Sequence, residues 1–172
     1  CSITLHRPEV AASHALLAQV QEPAPDPQLV NDQAPWPGEA TNSAGQTIVF
    51  ADGACRRQAH EHLRRAGCGA WWAEGSPRNI SCPLPGTFQS NQRAELLSVV
   101  LAVESDSRDL EVRTDSKFVV QGADNLRRGL EAGSHVDLWA RLERHLPRIS
   151  ITKVLGHATW KHVQRGFVSY ED

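Results

Sequence analysis

The sequence lacks the features that mark membrane proteins, secreted proteins and zinc fingers. No apolar stretch among the 172 residues is long enough to cross a bilayer, and no signal peptide is visible. The 4 cysteines include no Cys-x-x-Cys pair, so they indicate free thiols rather than zinc ligands or a disulfide framework. We therefore expect an intracellular protein, of the nucleus or cytoplasm, with no membrane partner.

The sequence also has little net charge. Its formal net charge is −2, so bulk charge does not indicate nucleic acid, and such a partner must be inferred from local patches. Arginines cluster at two places, where they predict either phosphate contacts or simply a solvated face. These clusters are Arg56, Arg57, Arg64 and Arg65, and then Arg127 and Arg128.

Proline density divides the chain into two parts. Residues 23–39 hold five of the 10 prolines, and prolines remove backbone donors and keep their neighbours extended. The sequence therefore predicts an N-terminal extension with a proline-rich linker over 1–45 and one folded domain over 46–172. Because the chain begins with Cys1 rather than methionine, we expect a piece of a longer translation product.

Hydrophobic periodicity predicts a mixed α/β domain. Short apolar runs bounded by turn residues indicate strands, and apolar repeats at helical spacing indicate helices. The first three strands, joined by brief connections, predict an antiparallel meander. The predicted strands are 47–51, 67–73, 79–84, 110–114 and 149–154, and the predicted helices are 90–104, 116–126 and 136–146.

Three acidic residues occupy positions that suit a metal site. Asp52 and Asp115 each follow an apolar strand, and Glu95 lies near the start of a helix. If the two strands are parallel neighbours, both aspartates emerge at the carboxyl edge of the sheet, where sites assemble in α/β folds. Clustered carboxylates suit Mg²⁺ or Mn²⁺, and two such ions can activate water against a phosphodiester. Any one of these acids alone is better explained as a solvated turn residue.

Five short segments occur in an order that, taken together, is typical of one family. They are Asp-Gly-Ala-Cys at 52–55, Asn-Gln-Arg-Ala-Glu-Leu at 91–96, Thr-Asp-Ser-Lys-Phe at 114–118, Val-Asp-Leu-Trp at 136–139 and Gly-His-Ala at 156–158. In these segments the chain resembles the ribonuclease H family, of the cellular type and its relatives fused to reverse transcriptases. The resemblance runs from about residue 48 to 157. It implies a ribonuclease H-like fold with a mixed five-stranded sheet and flanking helices.

The resemblance also implies catalytic roles. Asp52, Glu95 and Asp115 match the family's metal-binding acids, which implies two Mg²⁺ or Mn²⁺ ions in a complete site. His157 matches a histidine on a mobile loop that assists proton transfer or product release, and an imidazole has a suitable pKa. Without the glycine before it, His157 would be an ordinary loop residue.

Further matches concern the nucleic acid. Asn91 and Gln92 match residues that contact RNA 2′-hydroxyls, since an amide supplies both a donor and an acceptor. From the residues alone Asn91 could cap the helix, although Ser90 is the better cap and matches a hydroxyl position of the family. Phe118 matches an aromatic residue of the DNA-strand channel, while core burial explains it equally well. Arg56 belongs, with Arg57, to a basic group suited to phosphate.

Two departures from the family pattern stand out. The segment 126–130 is brief and has leucines where relatives carry tryptophans that grip the DNA strand. The family's fourth metal-binding aspartate, on a final helix, has no clear counterpart after His157. We therefore expect either that the chain is truncated before that helix or that Asp172 takes the role.

These patterns predict an endoribonuclease that hydrolyses the RNA strand of RNA–DNA hybrids by a two-metal mechanism. A covalently linked reverse transcriptase upstream and a monomeric state are part of this expectation. The alternative is a catalytically impaired module of the same fold that binds nucleic acid or acts as a tether within a polyprotein. The Asn91–Gln92 pair favours hybrid recognition over another nuclease or an integrase.

Overall fold

The computed structural model describes residues 34–57 and 59–156. Within these ranges the chain forms five strands and three α-helices in the predicted order. Most of the predicted extension, together with His157 and Asp172, lies outside the described residues. The elements are β1 (Thr47–Arg56), β2 (Arg65–Trp71), β3 (Ile80–Pro83), α1 (Asn91–Ser105), β4 (Leu110–Thr114), α2 (Lys117–Arg127), α3 (Val136–Glu143) and β5 (Ile149–Lys153). Short 3₁₀ turns occupy Glu61–Leu63 and Leu146–Arg148.

The five strands form one mixed sheet in the order β3-β2-β1-β4-β5. β1 pairs with β2, and β2 with β3, in antiparallel fashion, which confirms the predicted meander. β1 pairs with β4, and β4 with β5, in parallel. The predicted fold class, a mixed five-stranded sheet with flanking helices, is therefore confirmed.

Two predicted boundaries are wrong for identifiable reasons. β1 does not end before Asp52 but continues to Arg56, because β2 pairs with it over that whole length. α3 ends at Glu143 rather than at residue 146, and a 3₁₀ turn containing Pro147 follows it. Proline has no N–H to continue an α-helix, so the change of helix type is expected near this position.

Helix α1 is the centre of the core. Ser90 caps it, since its Oγ accepts a hydrogen bond from the N–H of Arg93 at 3.1 Å. The helix packs on β1 and β2 with one side and on α3 with another, so most of its length is buried. Its fully buried apolar side chains are Ala94, Leu96, Leu97, Val99, Val100, Ala102 and Val103. No helix in the described part of the chain is both long and apolar enough to span a bilayer.

Residues before β1 also contact the domain. The side chain of Glu39 is fully buried between two arginines, 3.1 Å from Arg78 and 2.8 Å from Arg108. Asp106, on the loop after α1, binds Arg108 at 2.6 Å and accepts a hydrogen bond from the indole of Trp72. Burial alone would raise the pKa of Asp106, but the hydrogen bonds from Arg108 outweigh it and lower that pKa. The domain boundary at residue 46 stays a prediction. Through these contacts Glu39 packs against the connection between β2 and β3 and the connection between α1 and β4.

Candidate functional site

The two aspartates emerge at one edge of the sheet. Asp115 directly follows β4, and Asp52 lies in β1 two residues beyond the last parallel pair, Phe50 with Arg113. Parallel neighbours present their carboxyl ends at the same edge, so both carboxylates belong to one region. The N–H of Gly53 donates to Asp52 Oδ1 at 2.7 Å and orients that carboxylate.

Gly53 allows α1 to approach this edge. A Cβ atom at this position would lie 2.2 Å from the backbone N of Glu95 and 2.3 Å from the carbonyl carbon of Ala94. Ordinary carbon contacts begin near about 3.5 Å, so no residue with a side chain fits without displacing the helix. The absence of a side chain at Gly53 therefore places the second turn of α1, and with it Glu95, beside Asp52.

Glu95 is held by hydrogen bonds to both of its carboxylate oxygens. Ser116 Oγ donates to Oε2 at 2.6 Å, and Asn91 Nδ2 donates to Oε1 at 2.5 Å. Burial, followed by the negative charges of Asp115 and Asp52, raises the pKa of Glu95 above its usual value, and the two hydrogen bonds only partly offset this. The three acids therefore repel one another. Among the described residues, no cationic side chain contributes to the pKa of Glu95 and offsets this repulsion.

Asn91 connects the strand layer to the helix. Its Oδ1 accepts a hydrogen bond from the N–H of Cys55 at 3.1 Å while its Nδ2 binds Glu95. The amide therefore bridges β1 and the acid, a role that helix capping does not describe. Gln92, the next residue, is exposed to solvent.

The other predicted nucleic-acid contacts lie on different elements. Phe118 is half-buried, with its ring centroid 5.5 Å from that of Trp139 and 6.1 Å from that of His135. This position is compatible with both roles predicted for Phe118, packing in the core and a contact with the DNA strand. Arg56 ends β1 and is exposed, as is Arg57, whose backbone has a left-handed φ of 56°.

A cleft of about 470 Å³ opens next to two of the acids. Along β1, side chains alternate between faces, so Phe50 and Asp52 point away from the face on which Gly53 meets α1. The ring of Phe50 lies 5.9 Å from that of Trp71, and the guanidinium of Arg113 lies 5.7 Å from the Phe50 centroid. The cleft is thus apolar and cationic on one side and acidic on the other. Its lining includes Phe50, Asp52, Trp71, Ile80, Arg113 and Asp115.

Gly156 closes the site from the end of the last strand. A Cβ at this position would lie 2.0 Å from Oδ2 of Asp115, so the backbone here contacts the carboxylate directly. His157 is the next residue and lies outside the described ranges, as does Asp172. Their predicted roles therefore stay predictions.

The donor set suits a hard divalent cation in chemistry. Carboxylate oxygens are the ligands that Mg²⁺ and Mn²⁺ prefer, and a cation would relieve the repulsion that raises the pKa of Glu95. Within residues 34–57 and 59–156, no three His, Cys, Asp or Glu side chains are arranged closely enough to hold a metal ion. Both oxygens of Glu95 face internal donors instead, so a metal would compete with Asn91 and Ser116 for them.

Sequence reasoning missed two residues that organise the site. Ser116 both caps α2, accepting from the N–H of Val119 at 3.2 Å, and donates to Glu95. A serine before an apolar helical repeat is the usual signature of a cap, but the contact with Glu95 has no sequence signal. The sequence prediction includes Gly53 only as a member of the segment 52–55, because its close approach to α1 depends on the packing of the two elements.

Comparison with known families identifies the domain. A family model described as RNase H matches residues 44–165, more than half of the 172-residue chain. The chain belongs to the ribonuclease H family. Ribonuclease H of Schizosaccharomyces pombe is 43% identical over 74 residues, which are 43% of this chain and 28% of that protein. Ribonuclease H1 of Rattus norvegicus is 31% identical over 126 residues, 71% of this chain and 40% of that protein.

Other relatives extend the comparison. Ribonuclease H1 of Homo sapiens is 36% identical over 86 residues, 48% of this chain and 29% of that protein. The chain thus spans less than half the length of these curated relatives. A solved structure of the foamy viral protease-reverse transcriptase in complex with dsDNA superposes with a TM-score of 0.50 at 19% identity, over 72% of this chain and 88% of the other. At that identity the likeness supports the ribonuclease H-like fold alone.

Proposed function

We propose that this domain hydrolyses the RNA strand of RNA–DNA hybrids. The observation that carries the proposal is the grouping of Asp52, Glu95 and Asp115 at one sheet edge of a ribonuclease H family chain, close enough that two of the acids raise the pKa of the third. A structural cluster of acids would be expected to pair with arginine or lysine. Here the partners of Glu95 are neutral donors.

Asp52, Glu95 and Asp115 would hold Mg²⁺ or Mn²⁺, with two ions in a complete site. A bound divalent ion supplies a water of lowered pKa and neutralises charge on the phosphodiester oxygens. The chain's own part is to keep Glu95 available as a carboxylate and to fix its position through Ser116 and Asn91. Gly156, against Asp115, leads into His157, for which we propose proton transfer at the leaving oxygen.

The side-chain amides of Asn91 and Gln92, the two residues after Ser90, would have different roles toward the substrate. Asn91 already uses one N–H for Glu95, which leaves its second N–H for a ligand, so its first role is to position the acid. Gln92 is exposed, and its side-chain amide would offer both a donor and an acceptor to a 2′-hydroxyl. The 2′-hydroxyl is the group that distinguishes RNA from DNA. Phe118 would contact the DNA strand, and Arg56 and Arg57 would contact phosphates.

Cleavage of strand-labelled duplexes tests this proposal. The chain is incubated with an RNA–DNA hybrid, double-stranded RNA and double-stranded DNA in Mg²⁺ or Mn²⁺. Asp52→Asn is the active-site variant, and Glu74→Gln, at an exposed turn acid, is the matched control. We expect cutting of the hybrid's RNA strand alone, abolished by Asp52→Asn and retained by Glu74→Gln. Equal cutting by both variants would contradict the proposal.

The second candidate is a non-catalytic module of the same fold that binds nucleic acid or tethers a polyprotein. It is favoured by the orientation of Glu95, both of whose oxygens accept hydrogen bonds from the protein. Binding of the hybrid without cleavage, both in this chain and in one extended past Asp172, would select it.

The proposal also includes the context of the domain. We propose an upstream reverse transcriptase, a monomeric state and an intracellular location in the nucleus or cytoplasm.

A further inference from the structure

Two cysteines face each other at the edge of the sheet, on the two strands beyond β1. Cys68 on β2 and Cys82 on β3 are direct partners in the antiparallel register, and both are free thiols. Directly opposed residues project from the same face of a sheet. Cys68 is 4% exposed within the core, and the half-buried Cys82 packs against that core. The two thiols also influence each other's pKa.

The strand ladder places the Cα atoms of this pair at a separation that a disulfide can span. The N–H of Leu84 donates to the carbonyl of Ala66 at 2.8 Å, one register step beyond the pair of Gly67 with Pro83. Hydrogen-bonded and non-hydrogen-bonded pairs alternate, so the two cysteines occupy a hydrogen-bonded pair, where Cα atoms lie about 5.5 Å apart. Disulfides have their commonest Cα separation at about this value.

Position in the sheet leaves room for the remaining adjustment. β3 is a four-residue strand at the end of the strand order and pairs only with β2 among the described strands. A small shift of β3 can bring the two sulfur atoms to bonding distance without moving β1 or β4. β2, on which Cys68 lies opposite Gly53, need not move.

We propose that Cys68 and Cys82 are a site of reversible disulfide formation by exchange with a low-molecular-weight disulfide such as oxidised glutathione. The Cys82 thiolate attacks one sulfur of the small disulfide and releases one small thiolate. Cys68 then loses its proton to solvent, and its sulfur attacks Sγ of Cys82, which expels the second small thiolate. Two protein thiols are oxidised, and one small disulfide is reduced to two thiols.

Burial determines the order and the pH dependence of these steps. It raises the pKa of Cys68 to about 12, with smaller contributions from the charge and hydrogen bond of Cys82, the only titratable group of the described residues that contributes. Burial also raises the pKa of Cys82 above its usual value. The more exposed Cys82 is therefore the first of the two thiols to react with the small disulfide. Because the thiolate is the nucleophile, the rate should rise about tenfold per pH unit near neutrality.

The test uses the full chain with Cys1→Ser and Cys55→Ser, which leaves only this pair. After incubation with oxidised glutathione at pH 7, 8 and 9, remaining thiols are alkylated and the protein is digested with trypsin, which cuts between the cysteines after Arg78. We expect the peptides holding Cys68 and Cys82 to be joined with the loss of two hydrogens. Oxidation should raise the unfolding temperature by about 10 °C, reversibly with dithiothreitol, because it closes a loop of about 15 residues.

Cys82→Ser in the same background is the control, since its half-buried position tolerates the change better than Cys68 would. It should form no intramolecular bond and show no temperature shift. Three results would overturn the proposal. They are a product that stops at the glutathione adduct of Cys82, both thiols fully alkylated after incubation at pH 9, or a joined product whose unfolding temperature is lower than that of the reduced chain.

Discussion

Replacing Gly53 with alanine is the sharpest structural perturbation of the site. The added Cβ would lie 2.2 Å from the backbone N of Glu95 and 2.3 Å from the carbonyl carbon of Ala94. Both are main-chain atoms of α1, so no side chain can rotate away. Relief requires α1 to move by about 1 Å to reach ordinary contact, which separates Glu95 from Asp52.

The size of the effect follows from packing. Overpacking of a tight core costs up to about 3 kcal/mol. With an unfolding entropy of about 2.1 cal/mol/K per residue over roughly 120 ordered residues, this lowers the unfolding temperature by about 12 °C. A displacement of about 1 Å at a catalytic group costs on the order of 100-fold in rate, so hybrid cleavage should fall by about that factor well below the new unfolding temperature.

Gly69→Ala is the matched control. Gly69 is the direct β2 partner of Asp52, but a Cβ there would meet the carbonyl of Ile80 at 3.7 Å and that of Asp52 at 3.8 Å, which is ordinary contact. Circular dichroism melts and cleavage rates are compared for the two variants. The reasoning is refuted if Gly53→Ala melts and cleaves like the wild type, or if Gly69→Ala loses as much as Gly53→Ala does.

Three further predictions concern charged residues. In chelator at pH 7, Glu95→Gln should raise the unfolding temperature, since burial and two acids raise the pKa of Glu95; the gain should vanish below about pH 4, where the wild type is protonated in both states. Glu39→Gln should cost about 3 kcal/mol in urea unfolding, because it removes the fully buried negative charge that pairs with both Arg78 and Arg108. Arg93→Ala should cost less than about 1 kcal/mol in the same assay, because Asp137 is 59% exposed. An unchanged unfolding temperature in Glu95→Gln would contradict the first prediction, and an unchanged urea midpoint in Glu39→Gln the second. A loss of stability well above about 1 kcal/mol in Arg93→Ala would contradict the third.

The spacing of apolar residues predicts the helices and strands, because the face that each element buries is encoded within its own stretch of sequence. α1 and β4 repeat apolar residues at helical and strand spacing, and both form within a residue of the predicted bounds. Turn chemistry predicted less well. Asp52-Gly53 has the composition of a turn, yet β1 continues through it because cross-strand pairing with β2 outweighs the local preference.

The sequence predicts the three acids of the candidate site but not the residues that hold them in position. Element ends and family resemblance predict Asp52, Glu95 and Asp115, and the parallel pairing of β1 with β4 places the two aspartates at one edge. The supports join residues far apart in sequence. Ser116 reaches Glu95 across 21 positions and Asn91 reaches the backbone of Cys55 across 36, and no local pattern encodes such contacts.

The measurement that tests the central claim most directly is the Mg²⁺ dependence of hybrid cleavage in wild type and Glu95→Gln. We predict a rate that rises with Mg²⁺ and saturates in the wild type, is absent in chelator, and falls by several orders of magnitude in the variant while hybrid binding is retained. Cleavage that persists in chelator, or that Glu95→Gln leaves unchanged, would contradict the account.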